Sequence, residues 1–257
     1  MERDTKSRQI GLARALSKLG FCSRSQAAKL IRAGRVRLNG ASRRDPETPV
    51  HLGRDRIDVD RNAVTAESKI YVMLNKPRGV VTTASDERGR PTVYSLLGEK
   101  LPWVGPVGRL DQASEGLLLL TNDSEWAARI SDPGSHLDKT YHVQVGALVS
   151  DLLTDELHTG LRLGGELLRA KQARVLRSGG KNTWLEITLD EGKNRQIRRM
   201  LQQLGIEVLR LIRVAIGPLA LGELPKGKSR ALSPVEKSAV DQAIRLSREQ
   251  TRILEKG

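Results

Sequence analysis

The chain is poor in cysteine, histidine and aromatic residues, and each shortage removes a class of protein. Cys22 is the only cysteine among 257 residues. It cannot close an intramolecular disulfide or complete a cysteine-rich metal site, which excludes a stapled secreted scaffold and fits a reducing, cytoplasmic setting. The four histidines, His51, His136, His142 and His158, are scattered, and no pair has metal-ligand spacing. No metal is therefore expected. Three Trp, three Tyr and one Phe are too few for the base-stacking sheet of common single-strand binders. No apolar run approaches the ~20 residues of a membrane helix, and the opening residues carry no stretch of signal-peptide type.

Carboxylates are also scarce. There are 44 Lys and Arg against 30 Asp and Glu, so 44 − 30 leaves +14, with a pI near 10.3. A basic chain of this kind points to a polyanion partner. Between Thr5 and Arg44 there are 11 Lys or Arg and no Asp or Glu. The apolar pattern shows that this run is folded. Ile10, Leu12, Ala13, Leu16 and Leu19 recur at helical spacing, with Gly20 as a stop. Ser23 and Gln26 form a capping box for a second helix, whose apolar face is Ala27, Leu30 and Ile31. Val36 and Leu38 alternate with Arg35 and Arg37 as in a half-buried strand, and Asn39-Gly40 is a hairpin turn signal. Arg14, Lys18, Arg24, Arg32, Arg35 and Arg37 are the expected RNA-binding set, binding phosphates with salt-sensitive affinity. The motifs Gly20–Arg24 and Ala28–Gly40 resemble the S-four RNA-binding domain, which implies RNA rather than DNA.

At 257 residues the length predicts two domains. The expected division is 1–67 for the RNA-binding domain with a short polar linker, 68–240 for a larger catalytic domain, and 241–257 for a helical tail. Residues 69–75 read as an apolar strand, and Val143–Val145, Ala173–Leu176, Trp184–Leu189, Val208–Ile212 and Leu219–Leu221 as further strands. Trp126–Ile130 and Asn194–Leu204 read as helices, the second capped by Asn194. The fold class is α+β: a small helix–helix–hairpin domain and a larger, mixed, mainly antiparallel sheet.

Three polar clusters stand beside apolar strands. In the first, Arg109 and Asp111 precede the run Leu117–Leu120, so a carboxylate sits on a loop held by a buried strand. Lys139-Thr140-Tyr141 opens another strand. In Glu191–Leu201, Arg198 adjoins the apolar stripe Ile197, Met200, Leu201 and Leu204, so its stem is partly buried and needs a carboxylate partner; Asp111 is a candidate. On the residues alone, Asp111 as a turn cap paired with Arg109 remains the simpler reading.

In this order the clusters resemble the pseudouridine synthases, closest to the ribosomal RNA enzymes that carry an S-four domain. The supporting segments are Asn75–Gly79, Arg90–Val93, Leu209–Gly217 and Leu224–Gly227. Ser114 and Ser124 depart from the usual Thr and Gly, away from any catalytic position. The resemblance implies site-specific isomerisation of uridine to pseudouridine without a cofactor. Asp111, Tyr141 and Arg198 match the family's catalytic aspartate, its stacking tyrosine, and the arginine that pairs with the aspartate. Arg109 would fill the stack vacated by an extruded base, and Leu211, rather than its neighbour Ile212, would lie under that base. Lys76, Lys139 and Arg195 complete the expected substrate-binding set. The Arg-Pro-Thr-Val and Leu-Pro-Lys-Gly elements favour 23S over 16S rRNA. A non-catalytic ribosome-assembly factor is the alternative outside enzymes. The expected partner is ribosomal RNA or a precursor particle, met by a monomer in the cytoplasm without membrane or metal.

Overall fold

The N-terminal signals fold locally as read. In the computed structural model, which describes residues 9–83, 86–98 and 101–254, Ser23 caps the helix Arg24–Arg32. Ser23 Oγ accepts from the Gln26 N–H at 3.1 Å, and Gln26 Oε1 accepts from the Ser23 N–H at 3.0 Å. The preceding helix, Leu12–Lys18, buries Leu12, Ala13, Ala15 and Leu16 against Ala27 and Ile31. Each fully buried leucine contributes on the order of 1.5–3 kcal/mol. Val36 and Leu38 point into this core while Arg37 faces out. Asn39 and Gly40, at φ 51° and 82°, make the hairpin to Ala41–Arg43. Residues 5–8 of the acid-free run lie outside the described residues.

Two compact units divide the chain. The first gathers residues 1–71, 100–105 and 120–127; the second holds 72–99, 106–119 and 128–257. The small four-stranded sheet of the first unit runs Ala41–Arg43, Val36–Leu38, Ile57–Val59, Asn62–Ala63. Its last strand falls in the segment expected to be a polar linker. Asp60 and Arg61 reverse the chain at φ 49° and 69° without glycine or proline to announce the turn. Val64 then packs against the apolar cluster.

The second unit is built on a mainly antiparallel sheet. Its strand order is Gln172–Ser178, Thr183–Leu189, Lys139–Val145, Val208–Ile216, Glu115–Thr121, Tyr71–Lys76, Ser229–Ala231. Helices Asp151–Thr159 and Gln196–Gln203 contribute Leu157, Ile197, Met200 and Leu201 to a core with Val143, Val145, Leu185 and Ile187. The first of these helices carries no signal used in the sequence reading. The second begins two residues later than expected: its cap is Arg195, in the left-handed conformation at φ 49°, not Asn194. A helix over Pro234–Leu254 runs through the expected 240/241 boundary. It buries Val240 and Ile244, while Val235 is 78% exposed.

A parallel pairing joins Glu115 and Gly116 to Ile212 and Arg213. Here glycine is required. A Cβ on Gly116 would lie 2.2 Å from the Arg213 carbonyl oxygen, and the residue sits at φ 101°. This close approach fixes the strand after Asp111 against the strand that carries Leu211 and Arg213.

Candidate active site

Asp111 lies on a loop whose backbone is anchored on several sides. Thr82 Oγ1 donates to the Leu110 carbonyl at 2.7 Å, and the Gly79 N–H donates to the Gln112 carbonyl at 2.8 Å. Gln112 Nε2 returns a bond to the Gly79 carbonyl at 3.1 Å. The Ser114 N–H donates to the Asp111 carbonyl at 3.0 Å, closing a turn. The strand that follows, Glu115–Thr121, is buried at every position. The expectation of a carboxylate held by a rigid element is met.

Lys76 supplies the anchor that the sequence did not show. It has no solvent exposure. Its Nζ donates to the carbonyls of Ser114, Asp111 and Pro77 at 2.8, 3.0 and 3.2 Å. Burial, offset in part by Asp111 and Glu115 and assisted by Arg213, brings its pKa from 10.5 down to about 8. A side chain so enclosed, with three acceptors taken, is placed to hold the loop rather than to touch a substrate. The expectation of Lys76 in substrate binding is corrected accordingly.

The ion pair on Asp111 is also not the expected one. Arg195 Nη1 stands 3.3 Å from Asp111 Oδ2, with both side chains partly open to solvent. Arg198 instead donates to the carbonyls of Ala113 at 3.3 Å and Val208 at 3.5 Å. Burial lowers the Arg198 pKa, and neighbouring Arg195 lowers it further. Helical projection placed Arg198 beside the apolar stripe correctly, but a half-buried stem turned its head to backbone acceptors. The left-handed start of the helix leaves Arg195, not Arg198, facing the carboxylate.

Asp111, Arg109, Tyr141, Lys139, Arg195 and Leu211 all line one cleft of about 540 Å³, within the range of small-ligand sites. Leu211, 7% exposed, lines this wall; Ile212 does not. Burial lowers the Lys139 pKa, with Arg213 acting in the same direction. Arg213 lines the same cleft and escaped the sequence reading, because Arg210 and Arg213 lie three apart on opposite faces of an apolar strand, and nothing local says which one is buried. Glu115, one residue beyond the loop, has burial working to raise its pKa. Bonds from Arg210 at 3.1 Å and Lys226 at 2.5 Å outweigh that and hold it below the usual value.

The six expected RNA-binding cations fall into two groups. Arg14, Arg24, Arg32 and Arg37 are exposed and make no ion pair among the described residues. Lys18 is paired with Glu125 at 2.6 Å, and Arg35 makes a two-pronged ion pair with Asp60. These two are therefore corrected from open phosphate ligands to partly neutralised ones. Their partners lie 107 and 25 residues away in sequence, beyond the reach of local reading. Arg37 also shares a surface hollow with Arg56 and Arg61, which the sequence reading passed over.

Comparison with known proteins agrees with this architecture. A family model described as RNA pseudouridylate synthase matches residues 70–203, and one described as S4 domain matches residues 10–57. The two units thus carry an RNA-binding module and an isomerase. The chain belongs to the RNA pseudouridine synthase family. It is 38% identical over 239 residues to an uncharacterized RNA pseudouridine synthase of Aquifex aeolicus, covering 93% of this chain and 96% of the relative. It is 36% identical to the ribosomal large subunit pseudouridine synthase B of Bacillus subtilis, covering 88% and 93%. A crystal structure of a pseudouridylate synthase superposes with a TM-score of 0.64 at 32% identity, covering 90% of this chain and 99% of that one. Among the described residues no helix is long and apolar enough to cross a membrane.

Proposed function

We propose that the chain isomerises one uridine of large-subunit (23S) ribosomal RNA, with Asp111 opening the glycosidic bond. The observation that carries the role is the placement of Asp111. It is a partly exposed carboxylate in a cleft, on a loop tied by a fully buried lysine and faced by Arg195. Rigid support of this kind positions a reacting group within the tolerance catalysis requires. The carboxylate acts on ring carbon six, on the anomeric carbon, or by initiating elimination to a glycal. In each route the uracil detaches, turns and rejoins through carbon five.

Tyr141 and Leu211 line the cleft where an extruded base would lie. Exposed Arg109, two residues before Asp111, takes the place the base leaves in the helix. Arg195 holds the carboxylate, and Arg198 braces the loop through the Ala113 carbonyl. Arg14, Arg24, Arg32 and Arg37 anchor RNA phosphates and add affinity without reading sequence. The working division is an RNA-binding domain over 1–67, a catalytic domain over 68–240 and a helical tail beyond. The protein acts as a cytoplasmic monomer on rRNA or a precursor particle.

The large-subunit assignment draws on the Bacillus relative, whose name states that substrate class. The test is a pseudouridine map of all ribosomal RNA from cells lacking the gene. Loss of one large-subunit site is expected, restored by the wild-type gene and not by Asp111→Asn. Loss of a small-subunit site, or restoration by Asp111→Asn, would refute the assignment.

A further inference from the structure

Arg213 is a buried cation with no anion beside it among the described residues. It is 6% exposed, on the strand Val208–Ile216, and forms part of the cleft wall with Asp111 and Tyr141. Its Nε donates to the Leu117 carbonyl at 2.7 Å, while Nη2 is buried and has no hydrogen-bond partner. Among the described residues no carboxylate lies within ion-pair distance of it. Glu115, near enough to act on Lys76, is already taken by Arg210 and Lys226. The neighbours that feel Arg213 most clearly, Lys76 and Lys139, are themselves cations. A charge buried this way costs several kcal/mol unless something pairs with it. The strand is also held rigidly, since Gly116 leaves no space for a Cβ beside the Arg213 backbone.

We propose that the Arg213 guanidinium, on the cleft wall, donates to a carbonyl oxygen of the extruded uracil and balances the negative charge of that ring when the glycosidic bond opens. This rests on the reading of the cleft given above. Tyr141 is the cross-strand partner of Arg213, and Leu211 precedes it by two residues on the same face. A base lying by Tyr141 and Leu211 therefore turns an edge toward Arg213. Uracil carries two acceptors on its edges, O2 and O4, and the RNA phosphates stay on the backbone outside the cleft floor.

The reaction supplies the missing anion. Breaking the C1′–N1 bond leaves its electron pair on the uracil, shared among N1, O2 and O4. The C1′–C5 bond then forms, the C5 hydrogen departs to water as a proton, and N1 takes up a proton. No atom is gained or lost. A fixed donor in a water-poor site stabilises such charge without reorganising.

The experiment uses a synthetic stem–loop spanning the uridine located by the deletion map. It carries uridine, 2-thiouridine or 4-thiouridine at the target, with turnover followed under single-turnover conditions. Arg213→Gln should lower the rate on uridine by roughly 10²-fold, the usual loss for one such donor, with RNA affinity changed less than about threefold. Arg213→Lys should recover part of that rate. In the wild type, sulfur at one of the two positions should slow turnover by about tenfold, because sulfur accepts hydrogen bonds weakly. That penalty should disappear in Arg213→Gln and persist, reduced, in Arg213→Lys. The sulfur effect on the wild-type enzyme needs no variant to fold. If neither analogue slows it beyond threefold, or if both penalties survive unchanged in Arg213→Gln, the proposal is wrong. If wild type binds the uridine stem–loop but makes no pseudouridine, the functional reading fails and this inference with it.

Discussion

Replacing Lys76 by methionine should separate two properties that the native residue couples. Methionine fills the same enclosed channel but removes every donor. The ammonium titrates at about 8 rather than 10.5. At 1.36 kcal/mol per pH unit, holding it charged at neutral pH costs on the order of 3 kcal/mol. Methionine removes that cost. It also strips a donor from the carbonyls of Pro77 and Ser114, whereas the Asp111 carbonyl keeps the Ser114 N–H. An unsatisfied buried carbonyl costs roughly 1–3 kcal/mol. The opposing contributions nearly cancel, leaving a net loss of about 1–2 kcal/mol in urea unfolding. Catalysis has no such offset. A shift of about 1 Å in the Asp111 loop lowers the rate by roughly 10²-fold.

The assay is release of tritium from carbon five of labelled uridine in RNA, under single turnover. A rate within threefold of wild type would refute the positioning role. The pH dependence adds a second check with opposite signs. Between about pH 8 and 10.5 the unfolded chain still holds a proton that folded Lys76 has released. Stability from this group therefore rises with pH across that interval. The amine meanwhile loses one of its three donors, so activity should fall around pH 8. Both trends should vanish in Lys76→Met.

Further outcomes follow from the geometry. Asp111→Asn should abolish isomerisation while leaving RNA affinity, measured by filter binding, within about threefold. Arg195→Ala should reduce the rate by loosening the carboxylate with little change in melting temperature. Arg198→Ala should lower both, because its guanidinium bonds two backbone carbonyls. Gly116→Ala should destabilise by more than about 3 kcal/mol in urea unfolding, since its Cβ cannot coexist with the Arg213 backbone. Arg24→Gln or Arg32→Gln should each flatten the salt dependence of RNA binding by about one counterion. Arg35→Gln, already paired with Asp60, should flatten it less.

The parts legible in the sequence are those whose cause is local. Ser23 and Gln26 cap a helix three residues apart, and Asn39-Gly40 turns a hairpin by itself. The four leucines before Thr121 form the buried strand expected of them. Helix Asp151–Thr159 and the strand at Asn62 were missed because their signals are weak or hidden in polar residues. Within the cleft, Asp111, Tyr141 and Leu211 converge as the resemblance implied. The assignments that changed were those of long cationic side chains. Whether Lys76 faces solvent or three carbonyls, and whether Arg195 or Arg198 meets Asp111, depends on backbone turns and partners tens of residues away. Arg213 illustrates the limit: its burial is set by a parallel strand 97 positions earlier.

That parallel pairing also bears on when the protein becomes active during its own synthesis. Gly116 meets Arg213 only after the ribosome has made almost the whole second unit. Until then the strand behind Asp111 has no neighbour on that side, and the cleft lacks a wall. Contacts of such sequence separation form late. Translation proceeds at roughly 5–20 residues per second, so the carboxylate spends several seconds outside the tunnel before its surroundings exist. The N-terminal module, whose contacts are short-range, completes its helices and hairpin first. A nascent chain is therefore able to hold RNA before it is able to alter it, and truncated products share that inertness.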